Sequence, residues 1–259
     1  MCNDKKHTTL KIKTILVSQP QPSDLEKSPY ADLTKKFNVN VVFRKFIKIE
    51  GVPAKEFRKD RINILDYTAV IFTSRNAVDH FFRICKEMRI EVPDSMKYFS
   101  ISESTAYYLQ KYVQYRKRKV FHSKESFPNL VELTKKHKTE KFLLPCSDIH
   151  KQEIANMLEE NKIQFKKAVI YRTLASDLSD IKIEDYDMLV FFSPAGIKSL
   201  FKNFPKFKQD KTAIGAFGPS TAKAVTDAGL TLTVSAPSKT APSMTMAIEE
   251  YLQKELKKK

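Results

Sequence analysis

The feature that most constrains this chain is that its second half repeats its first. The segment AVIFTSRNAVDHFF beginning at Ala69 aligns with MLVFFSPAGIKSLF beginning at Met188, which sets Ser74 opposite Ser193. YFSISESTAYYL from Tyr98 aligns with AIGAFGPSTAKAV from Ala213, with Thr105 opposite Thr221, and TILVSQP from Thr14 aligns with FLLPCSD from Phe142. A polar turn and a helical stretch then follow the last strand of each half, around Ser123–Pro128 and Ser235–Pro242. Four matches in one order indicate a duplicated unit, and a duplicated unit restricts the fold more than any single motif does.

Each copy alternates short apolar runs with amphipathic stretches of helix length, the signature of parallel strands joined by crossover helices. The expected strands are Thr14–Ser18, Val39–Ile47, Ala69–Thr73, Lys97–Ile101 and Lys119–His122, then Lys141–Pro145, Phe165–Thr173, Met188–Phe192, Thr212–Ala216 and Thr231–Ser235. The chain has 259 residues, enough for two domains of ordinary size. The expectation is an α/β protein with two flavodoxin-like, doubly wound parallel-sheet domains related by internal duplication. The chain is expected to cross between them through a two-stranded linker, near Val39–Glu50 and Gln164–Ala175.

In such sheets ligands lie beyond the carboxyl ends of the strands, where helices begin with unpaired backbone N–H groups. That edge carries Ser18 and Gln19; Ser74, Arg75 and Asn76; Ser102, Glu103, Ser104 and Thr105; Cys146, Ser147 and Asp148; Ser193, Pro194, Ala195 and Gly196; and Gly218, Pro219, Ser220 and Thr221. Taken singly, each hydroxyl reads as a helix N-cap, which stabilises by about 0.5–2 kcal/mol. Taken together, they read as rows of oriented donors facing a gap between two domains, suited to carboxylates or phosphates.

Charge points the same way, since Lys and Arg outnumber Asp and Glu by 46 to 30, a formal net charge of +16. A polyanionic partner is the expected complement. The chain has no Walker loop, no GxGxxG, no nucleophile elbow and no HExxH, and its five histidines lack metal-ligand spacing, so neither a cofactor nor a metal is expected. Cys2, Cys85 and Cys146 show no paired spacing, and no run approaches the ~20 apolar residues of a membrane span. A cytoplasmic protein without a membrane partner is expected, and a monomer, since no long apolar helix face lacks a sheet to cover it. Two other readings stay open. One is a nucleic-acid-binding α/β protein, drawn from the charge and the stretch Tyr107–Lys119, although that stretch reads as an amphipathic helix with its aromatics turned to the core. The other is a polyanion-binding protein without catalysis.

The set IFTSRNAV, YFSISESTA, LLPCSDIHKQEI, VIYRT, FFSPAGI and GPSTAKAVTDAG, in this order and spacing over nearly the whole chain, resembles uroporphyrinogen-III synthase. The resemblance implies a cofactor-free lyase that closes linear hydroxymethylbilane to uroporphyrinogen III, inverting ring D and losing water. It also implies a discontinuous domain of residues 1–40 and 176–259, a middle domain of 51–164, and linker strands at 41–50 and 165–175. The bilane carries an acetate and a propionate on each pyrrole, so rows of donors on a basic protein suit it. Loss of its terminal hydroxyl leaves an azafulvene, which the substituted carbon of ring D attacks to give a spiro intermediate that fragments and recloses. By resemblance Tyr171, in VIYRT, assists departure of that hydroxyl, and Ser74, Thr105, Ser193, Ser220 and Thr221 bind substrate carboxylates. Arg75 and Lys151 add charge, while Asn76, Ser104, Cys146, Ser147, Pro194 and Ala195 complete the expected binding edge. Glu103 and Asp148 depart from the pattern, because a carboxylate at either position would repel the substrate if it faced it. The enzyme that makes the bilane is a further expected partner.

Overall fold

The computed structural model describes residues 12–124, 126–149 and 152–257. The chain runs β1 (Thr14–Val17), α1 (Pro29–Phe37), β2 (Asn40–Phe43), β3 (Ile47–Gly51), α2 (Ala54–Phe57), β4 (Ala69–Phe72), α3 (Arg75–Met88), β5 (Lys97–Ser100), α4 (Glu103–Tyr108), β6 (Val120–His122), α5 (Phe127–Lys135) and β7 (Phe142–Ser147). It continues through α6 (Gln152–Glu160), β8 (Phe165–Ala175), β9 (Met188–Phe191), α7 (Pro194–Asn203), β10 (Ala213–Phe217), α8 (Pro219–Asp227), β11 (Val234–Ala236) and α9 (Met244–Lys257). It divides into two units, one running to Lys48 and resuming at Leu174, the other comprising Ile49–Thr173.

The outer unit is a parallel sheet in the order β11-β10-β9-β1-β2. The inner unit has the order β3-β8-β7-β4-β5-β6, in which β8-β7-β4-β5-β6 reproduces the outer pattern with β3 added at the edge. In the outer unit the pair β1–β2 comes first in the chain and the run β9–β10–β11 last. In the inner unit the run β4–β5–β6 comes first and the pair β7–β8 last, so one sheet is a circular permutation of the other. In both, neighbouring connections depart in opposite directions at one place, between β1 and β9 or between β7 and β4. Such a switch point is where doubly wound sheets hold ligands.

Short strands suffice because both faces are covered. β4 (AVIF) and β9 (MLVF) are buried at every residue, as parallel strands with helices on each side must be. Side chains alternate between faces, so each sheet supports two cores. In the inner unit Val70, Phe72, Tyr98 and Ile170 pack on one face, and Ala69, Ile71, Phe99 and Phe142 on the other. In the outer unit Ile15, Val17, Met188 and Val190 share one core, and Leu16, Leu189, Phe191 and Ile214 the other.

Two expected elements differ. The strand expected over Val39–Ile47 is interrupted, with β2 ending at Phe43 and β3 beginning at Ile47. The cause is Phe46, which leaves the ladder to become 1% exposed and packs edge-on against Phe191. Its carbonyl accepts from the Ser176 N–H at 2.9 Å and from the Ser199 hydroxyl.

The helix expected over Tyr107–Lys119 ends at Tyr108, passing through a 3-10 turn at Leu109–Lys111. Tyr107 is 53% exposed and stacks on Tyr115 rather than on the core. At the far end of the segment the Arg116 carbonyl accepts from the Lys119 and Val120 N–H groups at 2.8 and 3.0 Å, closing a turn that leads into β6 in place of further helix. Only part of this segment turns inward: Tyr108 and Tyr112 donate their hydroxyls to the Asp79 carboxylate at 2.9 and 2.5 Å, and the Lys111 ammonium donates at 3.0 Å.

Partial burial alone would raise the Asp79 carboxyl pKa, but these donors hold it below the ordinary range. A lowered folded value means that the contribution to stability is complete above the unfolded value of about 3.9 and is lost as pH falls through the folded one. Asp79→Asn should therefore cost about 1 kcal/mol near neutral pH, a modest figure because the group is one-third exposed. The gap from the parent should close in strong acid, as read by urea titrations at the two pH values. A gap independent of pH would rule out the ionised form as the stabilising one.

Candidate functional site

In the inner unit the switch point falls at the carboxyl ends of β7 and β4, with β8 alongside. After β4 the chain turns at Ser74, whose extended backbone and side chain cap α3, Oγ accepting from the Ala77 N–H at 3.1 Å. β7 and β8 run in parallel with a bulge between Cys146 and Ser147, which brings Ser147 level with Tyr171. A bulge re-aims the side chains beside it. The result is a cavity of about 300 Å³ lined by Thr73, Ser74, Phe127, Cys146, Ser147 and Tyr171, with Leu144, Ile149 and Ile154 supplying apolar wall.

The chemistry of this cavity is that of neutral donors. Tyr171 is 8% exposed, and its hydroxyl lies 3.3 Å from Ser74 Oγ. Burial pushes the phenol above its ordinary range, against a smaller opposite pull from the Ser74 hydrogen bond, so it carries its proton throughout neutral pH. Burial likewise pushes the Cys146 thiol up to about 11, which makes it a wall group rather than a nucleophile. Ser147 Oγ donates to Asp148 Oδ1 at 2.8 Å and lies 3.2 Å from Thr173 Oγ1. Asp148 Oδ1 also accepts from the Thr173 and Ile149 N–H groups at 3.0 and 2.9 Å. Its carboxylate is thus occupied in tying β7 to β8, and these bonds outweigh desolvation to keep it ionised to lower pH than usual.

The other expected site residues of this unit are dispersed. Arg75 is exposed and its guanidinium lies 5.4 Å from the centre of the Tyr108 ring, over α4 rather than over the cavity. Asn76 is exposed one position further along α3. At the start of α4, Ser102 caps the helix and its Oγ lies 3.1 Å from both Ser104 Oγ and Thr105 Oγ1. Thr105 is buried, whereas Ser104 and Glu103 are exposed. Lys151 lies outside the described residues. Among the described residues no Lys or Arg lines the cavity. Two residues that the sequence reading missed stand behind Tyr171: the His80 ring stacks on it at 5.1 Å between centres, and Arg83 holds His80.

The outer unit repeats the local device. Ser193 caps α7, accepting from the Gly196 N–H at 3.3 Å, with Pro194 at the first helical position and Ala195 next. Both Pro194 and Ala195 are partly exposed. α8 begins differently, from Gly218 at φ 86°, a conformation that only glycine adopts without strain. Ser220 behind it is exposed and Thr221 buried. Among the described residues no group of His, Cys, Asp and Glu could hold a metal ion.

The chain matches the family model for uroporphyrinogen-III synthase HemD over residues 28–246, most of its length. It belongs to the uroporphyrinogen-III synthase family. No curated protein matches it significantly. Among solved structures, the uroporphyrinogen-III synthetase of Helicobacter pylori is 18% identical with a TM-score of 0.59, the match covering 93% of this chain and 99% of that one. A mutant uroporphyrinogen III synthase of Thermus thermophilus is 16% identical with a TM-score of 0.58 at the same coverage. At these identities the structures attest the fold, while the family match carries the activity. As a uroporphyrinogen-III synthase the chain is a lyase of tetrapyrrole biosynthesis that closes hydroxymethylbilane to uroporphyrinogen III with inversion of ring D, and the nucleic-acid reading is not favoured.

Proposed function

We propose that the cavity at the ends of β4, β7 and β8 receives the reacting end of the bilane, with Tyr171 as the donor to its departing hydroxyl. The observation that carries this reading is a protonated, buried phenol opening onto a cavity of about 300 Å³ at a switch point. Loss of hydroxide from carbon needs a proton or a strong hydrogen bond on the oxygen as the bond breaks. Tyr171 supplies it, and Ser74 beside it steadies the phenol. A phenol is a weak acid, so its contribution is assistance on the scale of tens-fold rather than thousands.

Most of the catalysis is then positional. The bilane closes unaided to the uninverted isomer, so the enzyme must favour the spiro route by restraining the chain, and positioning can supply up to about 7–11 kcal/mol of a barrier. Thr105, Ser193, Ser220 and Thr221 are carried as hydrogen-bond donors to substrate carboxylates, and Ser74 as the donor to the Tyr171 oxygen. Arg75, Asn76, Ser104, Cys146, Ser147, Lys151, Pro194 and Ala195 complete the proposed binding set.

The protein acts as a monomer in the cytoplasm and takes the bilane from the enzyme that makes it. One observation fits the cytoplasmic part of that setting: Cys85 and Cys146 are buried free thiols, as a reducing compartment leaves them. The deciding experiment supplies freshly made hydroxymethylbilane and separates the products. The type III isomer should dominate with this protein and type I without it. A product ratio unchanged by the protein would refute the reading.

A further inference from the structure

The phenol of Tyr171 is gripped by one helix at two places. Ser74, the cap of α3, meets its hydroxyl at 3.3 Å. On the same helix the His80 imidazole lies nearly parallel to the tyrosine ring, at 5.1 Å between centres and 19° between planes. His80 is itself fixed from one turn further along, where Arg83 donates Nε–H to its Nδ1 at 3.1 Å. The Arg83 guanidinium also donates to the carbonyls of Val52 at 2.8 Å and Ile170 at 3.0 Å, and to the Glu87 carboxylate at 2.5 Å. Ile170 is the residue before Tyr171, so one guanidinium holds both the imidazole and the backbone that carries the phenol.

Gly51 leaves room for this arrangement. A Cβ at that position would lie 2.6 Å from both Cζ and Nε of Arg83. Because His80 Nδ1 accepts a hydrogen bond, the imidazole is neutral with its proton on Nε2. Burial, and next the Arg83 charge, favour that form. The phenol therefore rests against a flat neutral ring whose orientation is set by a five-donor fork.

We propose that His80, fixed by Arg83, is a positioning residue that orients the Tyr171 phenol for the synthase reaction. This rests on the reading of Tyr171 given above. A stacked ring limits rotation of the phenol about its Cα–Cβ bond, and the hydroxyl, at the far end of the ring, moves most when that restraint is lost. Misplacing a reacting group by 1 Å can cost about a hundredfold, so partial loosening should cost about five- to tenfold in turnover.

The test measures kcat, KM and the type III to type I ratio on hydroxymethylbilane for His80→Ala and His80→Phe, each in the parent and in Tyr171→Phe. In the parent background, His80→Ala should lower kcat about five- to tenfold with KM within twofold, and His80→Phe, which keeps an aromatic face, should recover most of that loss. In the Tyr171→Phe background, where no hydroxyl is left to orient, His80→Ala should change kcat less than twofold. Equal losses in both backgrounds, no loss in the parent, or no recovery with His80→Phe would overturn the proposal. If His80→Ala does not fold, Gly51→Ala takes its place in the same comparison, since its methyl displaces the guanidinium without removing a charge. A silent Tyr171→Phe, seen before any change at His80, would remove the underlying reading and this inference with it.

Discussion

Replacing Tyr171 by phenylalanine should lower turnover by more than tenfold while leaving the affinity for hydroxymethylbilane nearly unchanged. The hydroxyl is the only group removed, and among the described residues its hydrogen-bond partner is Ser74. The ring keeps its stack on His80, so the fold should be little affected. A hydrogen bond used mainly as the carbon–oxygen bond breaks raises kcat rather than tightening ground-state binding, and its loss should appear in kcat and kcat/KM alike. Because burial raises the phenol pKa, the Tyr171-dependent part of the rate should hold level through neutral pH and fall only in strong alkali, as the phenol ionises. Initial rates across that range decide the matter. Unchanged turnover would remove Tyr171 from the chemistry, whereas a raised KM with normal kcat would make it a binding group only.

Phe99→Ala should be among the most damaging single truncations in the inner unit. Phe99 lies in β5 with no exposed surface. It stacks on Phe121 at 4.9 Å and meets Phe142 and His137 edge-on, each at 5.1 Å between ring centres. Emptying such a site removes the transfer energy of the ring and leaves a cavity that neighbouring strands cannot collapse to fill, a loss of about 3–5 kcal/mol. Domains are commonly stable by only 5–15 kcal/mol. Denaturant titration by circular dichroism should show an early transition from the inner unit, with the remainder unfolding near the parent midpoint. A shift under 1 kcal/mol would mean that β5 is not the packed strand described.

The parallel sheets were readable because runs such as AVIF and MLVF are too short for helices, and because each is followed by a serine or glycine where the next helix begins. The duplication was readable for the same reason: Ser74 and Ser193 occupy one backbone position in two copies and make the same capping bond. Sequence could not show which way neighbouring residues point. Ser74 and Arg75 are adjacent, yet each residue of a helix turns about 100° from the last, so one meets Tyr171 and the other lies over Tyr108. Nor could it show that Phe46 leaves its strand, since the pull comes from Phe191 and Ser199, far along the chain. His80 and Arg83 carried a local signal, a histidine and an arginine three apart on one helix face, but its meaning depends on the ring that β8 sets against it.

The order of strands also dictates when each sheet can close as the chain leaves the ribosome. β1 sits between β2 and β9, and the Asp187 carboxylate that receives the Thr14 N–H lies 173 residues downstream. At about 5–20 residues per second, the first strand waits on the order of ten seconds or more for β9, while the inserted segment already holds all of its own sheet. Nascent chains whose residue 175 has cleared the ribosomal exit tunnel should thus display a protease-resistant inner body attached to a susceptible amino-terminal arm.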